Sequence, residues 1–221
     1  MTLPREEVVA GFSDELARFA DLVRSIDAKE WTAPSRCEGW TAADVAAHVT
    51  GQLADIVNGR FEGLGTPEVT ERQVVERRGK TPDEMAEELD EAAKVGADIL
   101  ASFDDAAWAG PAPAGVPGTL GGGVEGLWFD AWLHADDIRA AVGRPTEPGP
   151  GVRASVSHLA DLLTDNGWGP ATIAVSGFEE FPVSGGGGER VEGDPITFVL
   201  VASGRKEASA LGLDPDVNVY G

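Results

Sequence analysis

Four stretches in the first two-thirds of the chain repeat their apolar residues at intervals of three and four, a period that commits them to helix. Residues 3–27 carry Val8, Val9, Phe12, Leu16, Phe19, Leu22, Val23 and Ile26 on one stripe. A second helix is expected from Thr41, where Thr41-Ala42-Ala43-Asp44 has the form of a capping box, to about Asn58, just ahead of Gly59. A third opens at Thr81-Pro82-Asp83-Glu84, with a threonine N-cap, proline at the first helical position and acids in the first turn. Its stripe of Met85, Leu89, Ala92, Gly96 and Ile99 reaches Phe103. After a Gly/Pro-rich stretch at 109–123, a fourth helix spans about 124–142 and stops at Gly143, with Pro145 beyond. Four helices of this length joined by loops predict a bundle.

The period then breaks. Glu147-Pro148-Gly149-Pro150-Gly151 reads as a linker, followed by a shorter helix at about 152–166. Strands are expected at Ala171–Val175, Pro195–Ala202 and Val217–Tyr220, with Gly185–Gly188 as a turn between strands and Lys206–Leu211 as a short helix. The expected fold class is α+β, with a four-helix bundle over 1–146 and a small α+β module over 147–221.

Three polar residues interrupt the apolar stripes. On the fourth helix Leu127, Ala131, His134 and Ile138 fall within about 60° of one another at 100° per residue, and Asp130 sits beside them. On the second, Val45, Val49, Gln52 and Ile56 define the apolar face, with His48 at its edge. The chain has only three histidines, and two of them lie on core-facing stripes. Burying an unpaired carboxylate costs several kcal/mol, roughly, so Asp130 needs a partner. Two imidazoles and a carboxylate can hold a divalent ion and leave coordination positions open for water or substrate. The plainer alternative is that Asp130 only hydrogen-bonds His134 and that His48 is a packed core histidine.

Charge and cysteine content restrict the remaining possibilities. The net charge of −21, from 38 acidic and 17 basic residues, repels nucleic acid and anionic membrane. No run approaches the ~20 apolar residues of a membrane span, and no signal peptide is expected behind MTLPREEV. The single Cys37 excludes an internal disulfide framework and fits a reducing cytoplasm.

Trp31-Thr32-Ala33-Pro34-Ser35-Arg36-Cys37-Glu38-Gly39-Trp40-Thr41, followed by Asp44-Val45-Ala46-Ala47-His48-Val49, resembles the N-terminal domain of mycothiol-dependent maleylpyruvate isomerases. Asp130–Arg139 with Gly143-Arg144-Pro145 is similar to the second motif of that DinB-like family. The resemblance implies a metal site of two histidines and a glutamate, which fall on His48, His134 and Asp130, with the shorter aspartate as a departure. It implies a small sterol-carrier-like C-terminal domain in which a strand ends in a Gly-Arg pair. Val199–Ala202 followed by Ser203-Gly204-Arg205 fits that position, and Arg205 would bind an anionic substrate or cofactor group.

The function this resemblance implies is that of a mycothiol-dependent enzyme holding a divalent metal, zinc by its ligand type. The metal activates a thiol toward a small electrophile, by isomerisation or by S-transfer. A metal-dependent hydrolase using bound water and a non-catalytic small-ligand-binding protein are the alternatives. Asp137 matches the family motif and can orient a ligand, whereas Asp136 reads as part of a solvated helix face. Arg139 is expected to pair with a nearby acid, and Trp31, Trp40, Trp128 and Trp132 to form core or pocket wall. Cys37 reads as structural rather than nucleophilic.

Overall fold

The computed structural model describes residues 3–113 and 116–221. The chain divides into two compact units. One holds Pro4–Glu147, and the other holds Pro148–Gly221 together with Leu3.

Four long helices frame the first unit: α1 (Arg5–Arg24), α2 (Ala42–Val57), α4 (Pro82–Ser102) and α6 (Leu120–Ala141). α1 and α2 each pack against both α4 and α6, so the four stripes converge on one core. Two capping boxes hold as the sequence indicates, Thr41 with Asp44 and Thr81 with Glu84. Gly11 of α1 faces Trp128 of α6. A Cβ there would lie 2.0 Å from the ring of Trp128, which is fully buried.

Two shorter helices, α3 (Pro67–Arg77) and α5 (Asp105–Ala109), were not expected. α3 has few apolar residues, so the three-four period is absent from it. Polar contacts hold it to α2: the buried Asp55 carboxylate accepts from Arg72 Nη2 at 2.6 Å and Gln73 Nε2 at 2.8 Å. Arg60 joins the same carboxylate at 2.6 Å, and the buried Arg77 reaches Glu88 on α4 at 2.6 Å. α6 begins four residues earlier than the expected 124, because the Thr119 hydroxyl accepts the Gly122 N–H at 3.1 Å and offsets the poor helix propensity of Gly121–Gly123.

The second unit pairs α7 (Gly151–Asp165) with a three-stranded sheet and α8 (Pro195–Ala202). Its strands are β1 (Ala171–Val175), β2 (Phe181–Val183) and β3 (Glu189–Gly193), in the order β2-β1-β3, with β1 antiparallel to β2 and parallel to β3. The α+β class holds, with a helical bundle in the first unit, but two expected strands do not. Pro195–Ala202 is helical because Asp194 caps it, accepting from Thr197 N at 2.7 Å, and Pro195 occupies the first turn. Phe198, Val199, Val201 and Ala202 are all buried, so this helix is apolar on several sides and shows no helical period. Val217–Tyr220 follows a 3-10 turn at Pro215–Val217 rather than forming a strand. The short helix expected at Lys206–Leu211 is a 3-10 turn at Ala208–Leu211. β2 and β3 flank the glycine run in a stretch where no strand was expected.

Candidate metal centre

His48 lies in the second turn of α2, where the Thr41–Asp44 box fixes the helix start. Asp130 and His134 are one turn apart in the middle of α6. Because α2 and α6 pack face to face, the three side chains meet. His48 Nε2 is 3.6 Å and His134 Nε2 is 3.4 Å from the Asp130 carboxylate, and the two rings stand edge to face with centroids 5.2 Å apart. One ligand atom from each of the three residues lies within 4.8 Å of the others. Donors about 2.1 Å from a tetrahedral ion are separated by about 3.4 Å, so these separations suit a common ion. The shorter aspartate arm therefore reaches both imidazoles.

Both histidines are buried, while the Asp130 side chain is 23% exposed and lies at the mouth of the cluster. Two polar atoms here are shielded from solvent without a hydrogen-bond partner, Asp130 Oδ2 and His48 Nδ1. An unsatisfied buried carboxylate oxygen facing two imidazoles is what a cation would relieve. Burial alone would raise the Asp130 pKa. The His134 and His48 imidazoles overcome it and hold the carboxyl well below its usual range. For His134, burial would lower the pKa, yet Asp130, Asp137 and Cys37 together hold it well above the ordinary imidazole value. An ion bound at this position would replace that proton, since ligating imidazoles must be neutral.

A turn ahead of α2 supplies the surroundings. Ser35 N donates to Trp40 O at 2.8 Å and Ala42 N to Ala33 O at 2.9 Å. Gly39 sits at φ +78°, a conformation other residues rarely adopt. This turn brings Arg36 and Cys37 against α6. Arg36 reaches Asp136 at 2.7 Å and Asp137 at 2.8 Å. Asp137, fully buried, accepts from His134 Nδ1 at 2.9 Å and from the Cys37 thiol at 3.3 Å. A carboxylate behind a ligand imidazole fixes its tautomer and directs the opposite nitrogen at the ion. Trp40 lies over His48 with ring centroids 5.4 Å apart.

Asp136 is buried and ion-paired, not part of a solvated face, because Arg36 of the preceding turn covers it. Arg36 itself was not singled out in the sequence. Its signal is its place in the Arg-Cys turn, but only the fold shows that the turn meets α6. Cys37, His134 and Asp137 also meet metal-ligand spacing. That set would use His134 Nδ1, which Asp137 already engages, so the His48–Asp130–His134 set is the better ligand group. Arg139 pairs with Glu147 at 2.8 Å, Trp128 and Trp132 are core, and Trp31 Nε1 donates to Lys80 O at 3.0 Å. Arg205 belongs to the second unit, just past the end of α8, and its guanidinium donates to Ser203 O at 2.8 Å.

The fold and this cluster define a helix-bundle protein with a facial pair of histidines and one aspartate. The chain belongs to the family of the mycothiol maleylpyruvate isomerase N-terminal domain, whose profile matches residues 12–139, more than half its length. Its fold is similar to a crystal structure of the mycothiol-dependent maleylpyruvate isomerase, with a TM-score of 0.69, 18% identity and 96% of each chain covered. A histidine-to-alanine mutant of the mycothiol-dependent maleylpyruvate isomerase superposes with a TM-score of 0.65, again at 18% identity and 96% coverage of each chain. No curated protein matches the chain in sequence.

Proposed function

We propose that the protein is a divalent-metal, mycothiol-dependent enzyme of the maleylpyruvate isomerase type, acting on a small electrophile by isomerisation or S-transfer. The observation that carries this reading is the convergence of His48 and His134 Nε2 on the Asp130 carboxylate, within a chain of that family. His48, Asp130 and His134 would hold the ion, and their nitrogen and oxygen donors suit zinc. When bound, the ion and the thiol supply a thiolate able to add to a conjugated double bond and to leave again.

The chain's own residues set the conditions for that chemistry. Asp137 holds His134 with Nε2 toward Asp130, and Arg36 pairs with both Asp136 and Asp137 behind it. Trp40 shields one side of His48. Arg205 would bind an anionic group of the thiol or substrate. It borders a surface hollow with Lys206 and Asn218, where a guanidinium can pair with a carboxylate. A single cysteine and the lack, among the described residues, of any helix able to cross a membrane support a cytoplasmic setting.

The test is turnover by metal-loaded protein with mycothiol and a panel of electrophiles that includes maleylpyruvate. Thiol-dependent turnover that is lost in His48→Ala supports the reading. Ester hydrolysis without thiol points instead to a hydrolase. A protein that takes up no divalent ion and turns over nothing is a binding protein.

A further inference from the structure

The helical unit contains a cavity of about 380 Å³ lined by α1, α2, α4, α6, the loop after α2 and the residues Ala112, Pro113 and Val116 ahead of α6. Its walls include Phe12, Leu53, Ile56, Ile99, Phe103 and Leu127, and among the described residues no charged or hydrogen-bonding side chain contributes to the lining. The volume falls within the ~300–1,000 Å³ of small-molecule sites, and an exclusively apolar hollow of this size is unusual unless something occupies it.

The cavity follows on from the metal cluster along the same helix faces. On α6, Leu127 and Gly123 precede Asp130 by three and seven residues. On α2, Ile56 follows His48 by eight. At 1.5 Å per residue these steps place the cavity walls about 5–12 Å along the helices from the ligand side chains. Asp130, Leu127 and Gly123 on α6, and Gln52 and Ile56 on α2, are all half-buried and share one face of their helix.

Two glycines independently indicate that the space is retained. Gly96 of α4 and Gly123 of α6 both lie on the cavity wall inside helices, where alanine would be more stable by about 1 kcal/mol. Neither is excluded by crowding. A Cβ on Gly123 would meet nothing within 4 Å, and one on Gly96 would make ordinary contacts of 3.6 and 3.8 Å. This contrasts with Gly11, whose missing side chain is required by Trp128. At Gly96 and Gly123, what an added side chain would take up is the cavity.

We propose that this cavity binds the apolar body of the substrate, an uncharged alkyl or aryl group, and that the substrate is a hydrophobic electrophile rather than a small dicarboxylate. An ionised carboxylate among these walls would lose its hydration with nothing to replace it. Placing the reactive end at the metal rests on the function proposed above. Binding of the apolar body rests on the cavity alone.

The experiment uses the metal-loaded chain and a neutral, largely apolar fluorescent arylamine, N-phenyl-1-naphthylamine. Wild type is expected to bind it saturably, and straight-chain enones are expected to displace it more strongly as their alkyl chain lengthens. Gly123→Leu, which favours helix and fills the cavity, should weaken probe binding at least tenfold with metal content unchanged. Gly96→Leu provides the same test from α4 if the first variant fails to fold. Absence of saturable binding in wild type, or undiminished binding in both folded variants, overturns the proposal. Probe binding without thiol-dependent turnover of any electrophile would retain the cavity assignment and refute the enzymatic reading instead.

Discussion

Replacing Asp137 with asparagine removes a charge and almost no volume, so it isolates the part this residue plays behind the metal cluster. Asp137 accepts from His134 Nδ1 at 2.9 Å and pairs with Arg36 at 2.8 Å. An amide offers one acceptor and one donor where the carboxylate offers two acceptors, so either His134 or Arg36 must face an N–H group. Losing the acceptor behind a ligating imidazole costs about 10–100-fold in metal affinity, or about 1.4–2.8 kcal/mol. The cost to folding is smaller. The Arg36 side chain is 29% exposed and keeps Asp136 at 2.7 Å, which limits the loss to about 1–2 kcal/mol.

Zinc affinity is then read by competition with a chromophoric chelator, and independently by thermal unfolding. With zinc at 100 times the wild-type Kd, the ion stabilises wild type by about 2.7 kcal/mol, whereas a variant binding 100-fold more weakly keeps only about 0.4 kcal/mol. A folded Asp137→Asn protein whose zinc affinity lies within twofold of wild type would refute the claim that Asp137 orients His134.

Three further predictions concern the scaffold. Gly11→Ala puts a methyl group 2.0 Å from the fully buried Trp128, so overpacking should cost about 1–3 kcal/mol, read as a lower urea midpoint at unchanged slope. Asp55→Ala removes the anchor of α3 and should cost about 1–3 kcal/mol, since Arg60 and Arg72 are partly exposed and rehydrate; hydrogen exchange should speed up first in Pro67–Arg77. Burial works to raise the Asp55 pKa but is outweighed by its Arg72 and Gln73 hydrogen bonds, so the value lies below the ordinary 3.8; the stability it contributes is present above that pH and should be lost as pH falls through it. Glu15 has the opposite sign. Burial raises its carboxyl above the ordinary 4.5 despite the Trp128 hydrogen bond, so its effect on stability worsens as pH rises, and Glu15→Gln should raise the melting temperature at pH 7 more than at pH 4.

How legible each part was in the sequence depended on the kind of interaction that forms it. Helices held by an apolar stripe and a capping box, α2 and α4 above all, could be placed to within a residue or two, because both signals are local. α3 is held by Asp55, Arg72, Gln73 and Arg77, and ion pairs between distant residues leave no period to detect. Its one local sign was Thr66-Pro67-Glu68, the same threonine, proline and acid order that opens α4. α8 was mistaken for a strand because its β-branched, all-apolar run lacks a polar face, although Asp194-Pro195 carried a helix-start signal.

The meeting of His48, Asp130 and His134 was legible because they break apolar stripes, and a polar residue on a buried face needs a reason. Its surroundings were not legible. Arg36 and Asp136 have ordinary charged side chains in the sequence, and only the turn closed by Ser35, Trp40 and Gly39 brings them together. The apolar cavity was hidden as well. Gly96 and Gly123 read as a stripe member and as loop, and only the packed fold brings both to the lining of one cavity.

The central claim is that His48, Asp130 and His134, and not the neighbouring Cys37, His134 and Asp137, hold a divalent ion. Zinc K-edge X-ray absorption on the stoichiometrically loaded protein tests it most directly. A shell of nitrogen and oxygen at about 2.0–2.1 Å, with the outer scattering of two imidazoles, is the predicted result. A sulfur scatterer at about 2.3 Å, a single imidazole, or a protein that retains no zinc after desalting would contradict it.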